Sequence, residues 1–188
     1  MNEELTVATA AQMHTLGRRL AELLHAGDVV ILSGPLGAGK TTLTQGIGEG
    51  LRVRGPVTSP TFVIARVHPP LTAVGGAARG ASLVHADAYR LGSAIELDDL
   101  DLDADTATSV TVVEWGEGLA EGLAEDRLEI AIAPSPARSS ALLSGSQIGS
   151  PLDVSAESAD SPRTVRISGV GKRWQDIELP PAALADRL

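Results

Sequence analysis

The chain has 188 residues, enough for one domain of about 150 residues with a few dozen left over, and 15 basic against 24 acidic side chains leave a formal charge of -9. That charge argues against a broad electrostatic footprint on nucleic acid or on an anionic membrane, and the absence of cysteine excludes disulfides, thiolate metal sites and cysteine nucleophiles. No apolar run reaches the length of a membrane span and Met1-Asn2-Glu3-Glu4 opens acidic, so a cytoplasmic protein with no membrane contact is expected.

Residues 9–25 predict a helix, with Thr9 as N-cap and Met13, Leu16, Leu20, Leu23 and Leu24 returning at helical spacing before Gly27. Asp28 to Ser33 is short, apolar and β-branched, as a buried strand is. It runs into a glycine-rich loop, after which Thr41 to Leu51 predicts a helix that Gly46, Gly48 and Gly50 each weaken by about 1 kcal/mol relative to alanine. Further strands are expected over 62–67, 82–86, 110–113 and 128–133, and a brief helix over 116–124. The acidic stretch 96–102 reads equally as a short helix or a solvated loop.

Phe62, Tyr89, Trp115 and Trp174 are the chain's aromatic residues, so the core must be aliphatic. Residues 69–80 are mostly Pro, Gly and Ala, and residues 134–163 hold nine serines and four prolines without an aromatic. Both are expected to be flexible insertions within a single 1–188 domain, because such compositions bury too little apolar surface to offset ordering. Arg163 to Ser168 alternates like an edge strand, which makes the serine-rich stretch a long hairpin connection.

Gly34-Pro35-Leu36-Gly37-Ala38-Gly39-Lys40-Thr41 matches GxxxxGK[ST] between a predicted strand and a predicted helix. Its glycines let the backbone curl around phosphates at a helix N-terminus. Lys40 would reach the β- and γ-phosphates and the Thr41 hydroxyl would help hold magnesium, with Thr42 beside them. A carboxylate is needed to complete the magnesium arrangement, and another group to orient the attacking water. Asp87 and Glu114 both close predicted strands, and Trp115 follows Glu114, ready to stack on a base or to cover the core. Thr58-Ser59-Pro60-Thr61 is a hydroxyl-rich turn suited to sensing a γ-phosphate or to ordinary turn formation. Tyr89 and Arg90 are placed to serve a partner or substrate surface. His14, His25, His68 and His85 form no metal pattern, and His85 reads either as a support for Asp87 or as a satisfied or partly exposed histidine.

Read together, the 34–46 segment, Thr58-Ser59-Pro60-Thr61-Phe62, His85-Ala86-Asp87-Ala88-Tyr89-Arg90-Leu91 and Glu114-Trp115 resemble the bacterial TsaE family, formerly called YjeE. The resemblance spans about residues 5–133, with 163–171 similar to the family's closing strand. It implies a P-loop NTPase-like three-layer α/β sandwich, with a mainly parallel central sheet and antiparallel C-terminal strands. It implies a magnesium-dependent ATPase, weak alone, that acts with TsaD and TsaB to form N6-threonylcarbamoyladenosine at position 37 of tRNAs reading codons that begin with A. Contact with tRNA would be indirect, through that complex. On this resemblance residues 34–42 and Trp115 bind ATP, Thr41 and Glu114 hold Mg2+, Lys40, Asp87 and Glu114 serve catalysis, and Thr61 lies in a switch-like segment. A small-molecule kinase using the same loop, and a non-catalytic ATP-responsive scaffold, are the competing readings.

Overall fold

The run Val29–Ser33 (β2) forms the middle of a seven-stranded sheet in a computed structural model that describes residues 1–60, 62–71, 80–98, 107–135 and 162–179. The other strands are Asn2–Val7 (β1), Ala65–His68 (β3), Ser82–Asp87 (β4), Ser109–Glu114 (β5), Arg127–Pro134 (β6) and Arg163–Val170 (β7). Their order across the sheet is β1-β7-β6-β2-β5-β4-β3. Strands β6, β2, β5 and β4 are mutually parallel, whereas β3 runs antiparallel to β4, β7 to β6 and β1 to β7. The sequence accounts for this division. β2 and β5 are buried along nearly their whole length, as parallel strands covered on both faces must be. β6 alternates buried and more exposed positions over its first residues.

Helices Ala10–Leu23 (α1) and Lys40–Gly50 (α2) cover one face, where Met13, Leu16, Leu43 and Ile47 pack on Val30, Leu32 and Val112. The opposite face carries Val29, Ile31, Val84 and Val113 against Leu97 of the short helix Ala94–Asp98 (α3) and Ala120. These three layers agree with the expected sandwich. Thr9 caps α1 as predicted, its Oγ1 accepting the Gln12 N–H at 3.1 Å.

The two long helices touch backbone to backbone. A Cβ added at Gly46 would collide with the His14 carbonyl oxygen, and one at Gly17 with the Leu43 carbonyl oxygen. The glycine that weakens α2 by propensity is therefore what lets α1 approach it. Gly46→Ala is expected to lower stability by about 1–3 kcal/mol even though alanine is the better helix former. Urea unfolding measures this, and an unchanged midpoint would contradict the close approach.

Four expectations need correction. The chain has a strand, β1, that the sequence reading left out, and it pairs outside β7, so β7 is an interior strand of the sheet. The run 62–67 is not a strand throughout: Phe62 and Val63 are exposed, and only Ala65–His68 joins the sheet. The Pro60 carbonyl accepts the Val63 and Ile64 N–H groups at 2.8 and 2.7 Å, closing a turn there. Residues 116–124 form turns and a single 3-10 turn, Glu121–Leu123, with Gly118 at φ 78° breaking any α-helix. Of the acidic stretch, residues 96–98 end α3, while 99–102 lie outside the described residues, as do most of both expected insertions. β6 and β7 do pair antiparallel, with Pro134 opposite Arg163, as a hairpin requires.

His68 ends β3 buried, and its Nε2 has no hydrogen-bond partner. Burial, then the neighbouring His85 and Arg66, hold its pKa below the ordinary 6.5. Above 6.5 the imidazole is neutral folded and unfolded. As the pH falls below that value the unfolded chain takes up the proton first, so stability is lost through the window down to the folded pKa. His68→Leu should therefore lose stability less steeply than the parent between about pH 7 and pH 5. Urea titrations at several pH values check this, and parallel curves would refute it.

Candidate functional site

Parallel strands ending together build the site. In register, Glu114 of β5 lies between Leu32 of β2 and Asp87 of β4, so both carboxylates stand at the edge where β2 releases the glycine-rich loop. Open α/β sheets bind ligands at this carboxyl edge. The loop takes its shape from Gly34 at φ 138° and Gly39 at φ 108°, backbone conformations that glycine alone adopts readily. Gly34 also lies so near Ile132 of β6 that a Cβ would strike its carbonyl oxygen. Gly39 then passes directly into α2, whose first N–H groups lack partners within the helix and point at any anion held there.

Lys40 opens α2 and is only 4% exposed. Its Nζ donates to the Gly34 carbonyl at 2.8 Å and the Pro35 carbonyl at 3.0 Å, and lies 3.6 Å from the centre of the Trp115 ring. Burial pushes the ammonium below the usual lysine pKa, and the negative charges of Glu114 and Asp87 pull it partly back. The ammonium rests in a cradle of carbonyls and indole, within reach of the charges of two carboxylates.

On the next residue, the Thr41 hydroxyl donates to Glu114 Oε1 at 2.9 Å. His85 Nε2 meets the same carboxylate oxygen at 2.8 Å. Asp87 Oδ1 accepts the Tyr89 N–H at 3.0 Å. These groups border a cavity of about 210 Å³, with residues 36–42 on one side and Ser59, Asp87, Glu114 and Trp115 on the other. Hydroxyl and carboxylate oxygens suit a hard cation such as magnesium. Among the described residues no three histidine, aspartate or glutamate side chains gather into a metal site, so a cation here would complete its shell with phosphate oxygens or water.

The sequence-predicted residues thus converge in large part. Leu36, Gly37, Ala38, Gly39, Lys40, Thr41, Thr42, Ser59, Asp87, Glu114 and Trp115 share the cavity, and Gly34 and Pro35 join it through Lys40. Thr58 is exposed and Pro60 buried, neither lining the cavity, and Thr61 lies outside the described residues. Trp115 faces the lysine, with its backbone at φ 60° and Tyr89 5.1 Å away ring to ring. His85 is fully buried and bonded to Glu114, where the sequence offered either a support for Asp87 or a merely satisfied or partly exposed histidine. Arg163 went unnoticed: from the start of β7 its guanidinium donates to the Gly37 carbonyl at 3.4 Å. The hairpin expected between the 128–133 and 163–168 strands is the signal that, followed to its first residue, brings Arg163 to this edge.

Residues 7–140 match the family model described as Threonylcarbamoyl adenosine biosynthesis protein TsaE. The chain belongs to the TsaE family. A Streptomyces coelicolor relative named tRNA threonylcarbamoyladenosine biosynthesis protein TsaE is 53% identical over 168 residues, covering 89% of this chain and 97% of that protein. A Mycobacterium tuberculosis protein of the same name is 56% identical over 122 residues, 62% of this chain and 70% of its own length. The crystal structure of Bacillus subtilis YdiB superposes with a TM-score of 0.61 at 26% identity, over 93% of this chain and 89% of that one. The three-layer fold with its glycine-rich loop is thus the fold of this TsaE family member. No described helix is long and apolar enough to cross a membrane.

Proposed function

We propose that this TsaE family member is a magnesium-dependent ATPase of the cytoplasm. It would support TsaB and TsaD in forming N6-threonylcarbamoyladenosine at position 37 of tRNAs that read codons beginning with A, meeting the tRNA only through that complex. The observation that carries the reading is the meeting of Lys40, Thr41 and Glu114 around one cavity at the end of the glycine-rich loop. A buried ammonium, a helix N-terminus and a hydroxyl held by a carboxylate are what a nucleoside triphosphate requires.

In this mechanism Lys40 exchanges the Gly34 and Pro35 carbonyls for phosphate oxygens. Glu114 keeps the Thr41 proton, so the Thr41 oxygen presents lone pairs to the cavity. Magnesium, when bound, supplies positive charge against the β- and γ-phosphate oxygens. Asp87, at the same sheet edge, orients a water whose oxygen forms the new bond to the γ-phosphorus as the bond to the β–γ bridging oxygen breaks. The products are ADP and phosphate. Lys40 and the loop N–H groups stabilise the charge carried by the departing phosphoryl group.

The test is ATP hydrolysis by the purified chain alone and with TsaB and TsaD, with and without magnesium. Turnover that rises in the mixture and disappears without magnesium is expected. ATP binding without turnover even beside the partners would favour the scaffold, and phosphate transfer to an added acceptor would favour the kinase.

A further inference from the structure

His85 lies in the interior of β4, fully buried, two positions after Leu83. Interior positions of parallel strands are ordinarily aliphatic, and an imidazole there carries a cost. Its Nδ1 is buried without a hydrogen-bond partner, and an orphaned buried polar atom is destabilising. What the ring has in exchange is the 2.8 Å contact from Nε2 to Glu114 Oε1, made where both side chains are almost wholly shielded from water. A carboxylate oxygen accepts only, so Nε2 must carry the hydrogen. That same oxygen takes the Thr41 hydroxyl proton at 2.9 Å. Three side chains from β4, β5 and α2 are thereby tied at one atom.

We infer that His85 is a positioning residue, whose Nε2–H fixes the Glu114 carboxylate so that Thr41 presents its oxygen to the cation of the bound nucleotide. The inference rests on the ATPase reading above. It reaches one residue further into the same site, to a group that touches neither nucleotide nor cation. From the β4 side, His85 Nε2 holds that carboxylate oxygen at 2.8 Å. Released from His85, Glu114 is free to turn about its terminal torsion, and the Thr41 proton loses a fixed acceptor.

The test uses the full chain carrying His85→Leu or His85→Gln. Leucine fills the space without a donor, while the glutamine amide restores an N–H near the position of Nε2. Four readouts separate positioning from packing: ATP affinity in EDTA, melting temperature, half-saturating magnesium and kcat. His85→Leu should raise half-saturating magnesium and lower kcat, each by about 10–100-fold, while ATP affinity in EDTA and the melting temperature stay near those of the parent. His85→Gln should recover most of the loss. In the nucleotide-free parent, the 15N shifts of the His85 ring should report the proton on Nε2. The inference is overturned if His85→Leu matches the parent, if glutamine fails to rescue, if EDTA affinity and melting fall together with kcat, or if the proton sits on Nδ1. A parent with magnesium-dependent turnover and a wild-type His85→Leu would remove the positioning role alone. A parent without such turnover, alone or with TsaB and TsaD, would remove the ATPase reading with it.

Discussion

Lys40→Met should leave a folded protein that binds ATP about 10–100-fold more weakly, matching the loss of one or two charge-assisted hydrogen bonds, and turns it over at least about 10²-fold more slowly. The ammonium is buried, and its lowered pKa means that the folded protein holds the charge at a cost that methionine removes. Its two hydrogen bonds go to loop carbonyls. Stability should therefore hold or rise while function collapses, a combination that a damaged fold cannot produce. Calorimetric melting, nucleotide titration and phosphate release measured on one preparation decide the matter. Unchanged ATP binding and turnover would show that the loop is not a phosphate site.

Glu114→Gln is the second substitution with a large expected effect, and it separates binding from chemistry. Truncation to alanine would leave the Thr41 hydroxyl and the His85 N–H without their shared acceptor, at about 1–3 kcal/mol for each buried group. The amide oxygen of glutamine still accepts from both, so only the negative charge is lost. ATP binding in EDTA should be at least as tight as in the parent, because a carboxylate facing the phosphate cavity repels an anion. Turnover should fall by about 10²–10⁴-fold, the several kcal/mol of charge stabilisation that a well-held magnesium would supply. Equal turnover in parent and variant would take Glu114 out of the chemistry.

The glycine-rich loop and its flanking elements were legible because three local signals coincide over residues 29–50: a β-branched apolar run, a phosphate-loop spacing and a helical pattern. Asp87 and Glu114 were found for a weaker reason, that each ends an apolar run. What brings them side by side is the parallel register of β4 against β5, a non-local pairing that no short stretch of residues encodes. β1 escaped notice because Asn2-Glu3-Glu4-Leu5-Thr6-Val7 is acid-rich and its partner lies at the far end of the chain. The apolar pair Phe62-Val63 misled in the opposite direction. Ile64 adopts φ 69° just after them, a left-handed turn conformation that hydrophobicity does not announce in a β-branched residue. Gly46 reads as a weak point by propensity, and only the crossing of α1 over α2 reveals it as a point of contact. The partner of His85 escaped notice by the same lack of register, since proximity in sequence offered only Asp87.

The pairing of β1 with β7 bears on how the protein is made. β1 leaves the ribosome early, but the strand it needs emerges more than a hundred residues later. At the edge of this pairing the Met1 nitrogen meets the Trp174 carbonyl at 2.7 Å across 173 positions. The half that carries the glycine-rich loop, from β2 through β5, has its own neighbours in hand well before then. Nascent chains can accordingly assemble the glycine-rich loop while β6 still lacks its outer partners, exposing a sheet edge open to other strands. Closure of that edge by such distant contacts is expected to be the slow, high-separation step of folding, and the period of synthesis before it the one in which the chain is most exposed to aggregation.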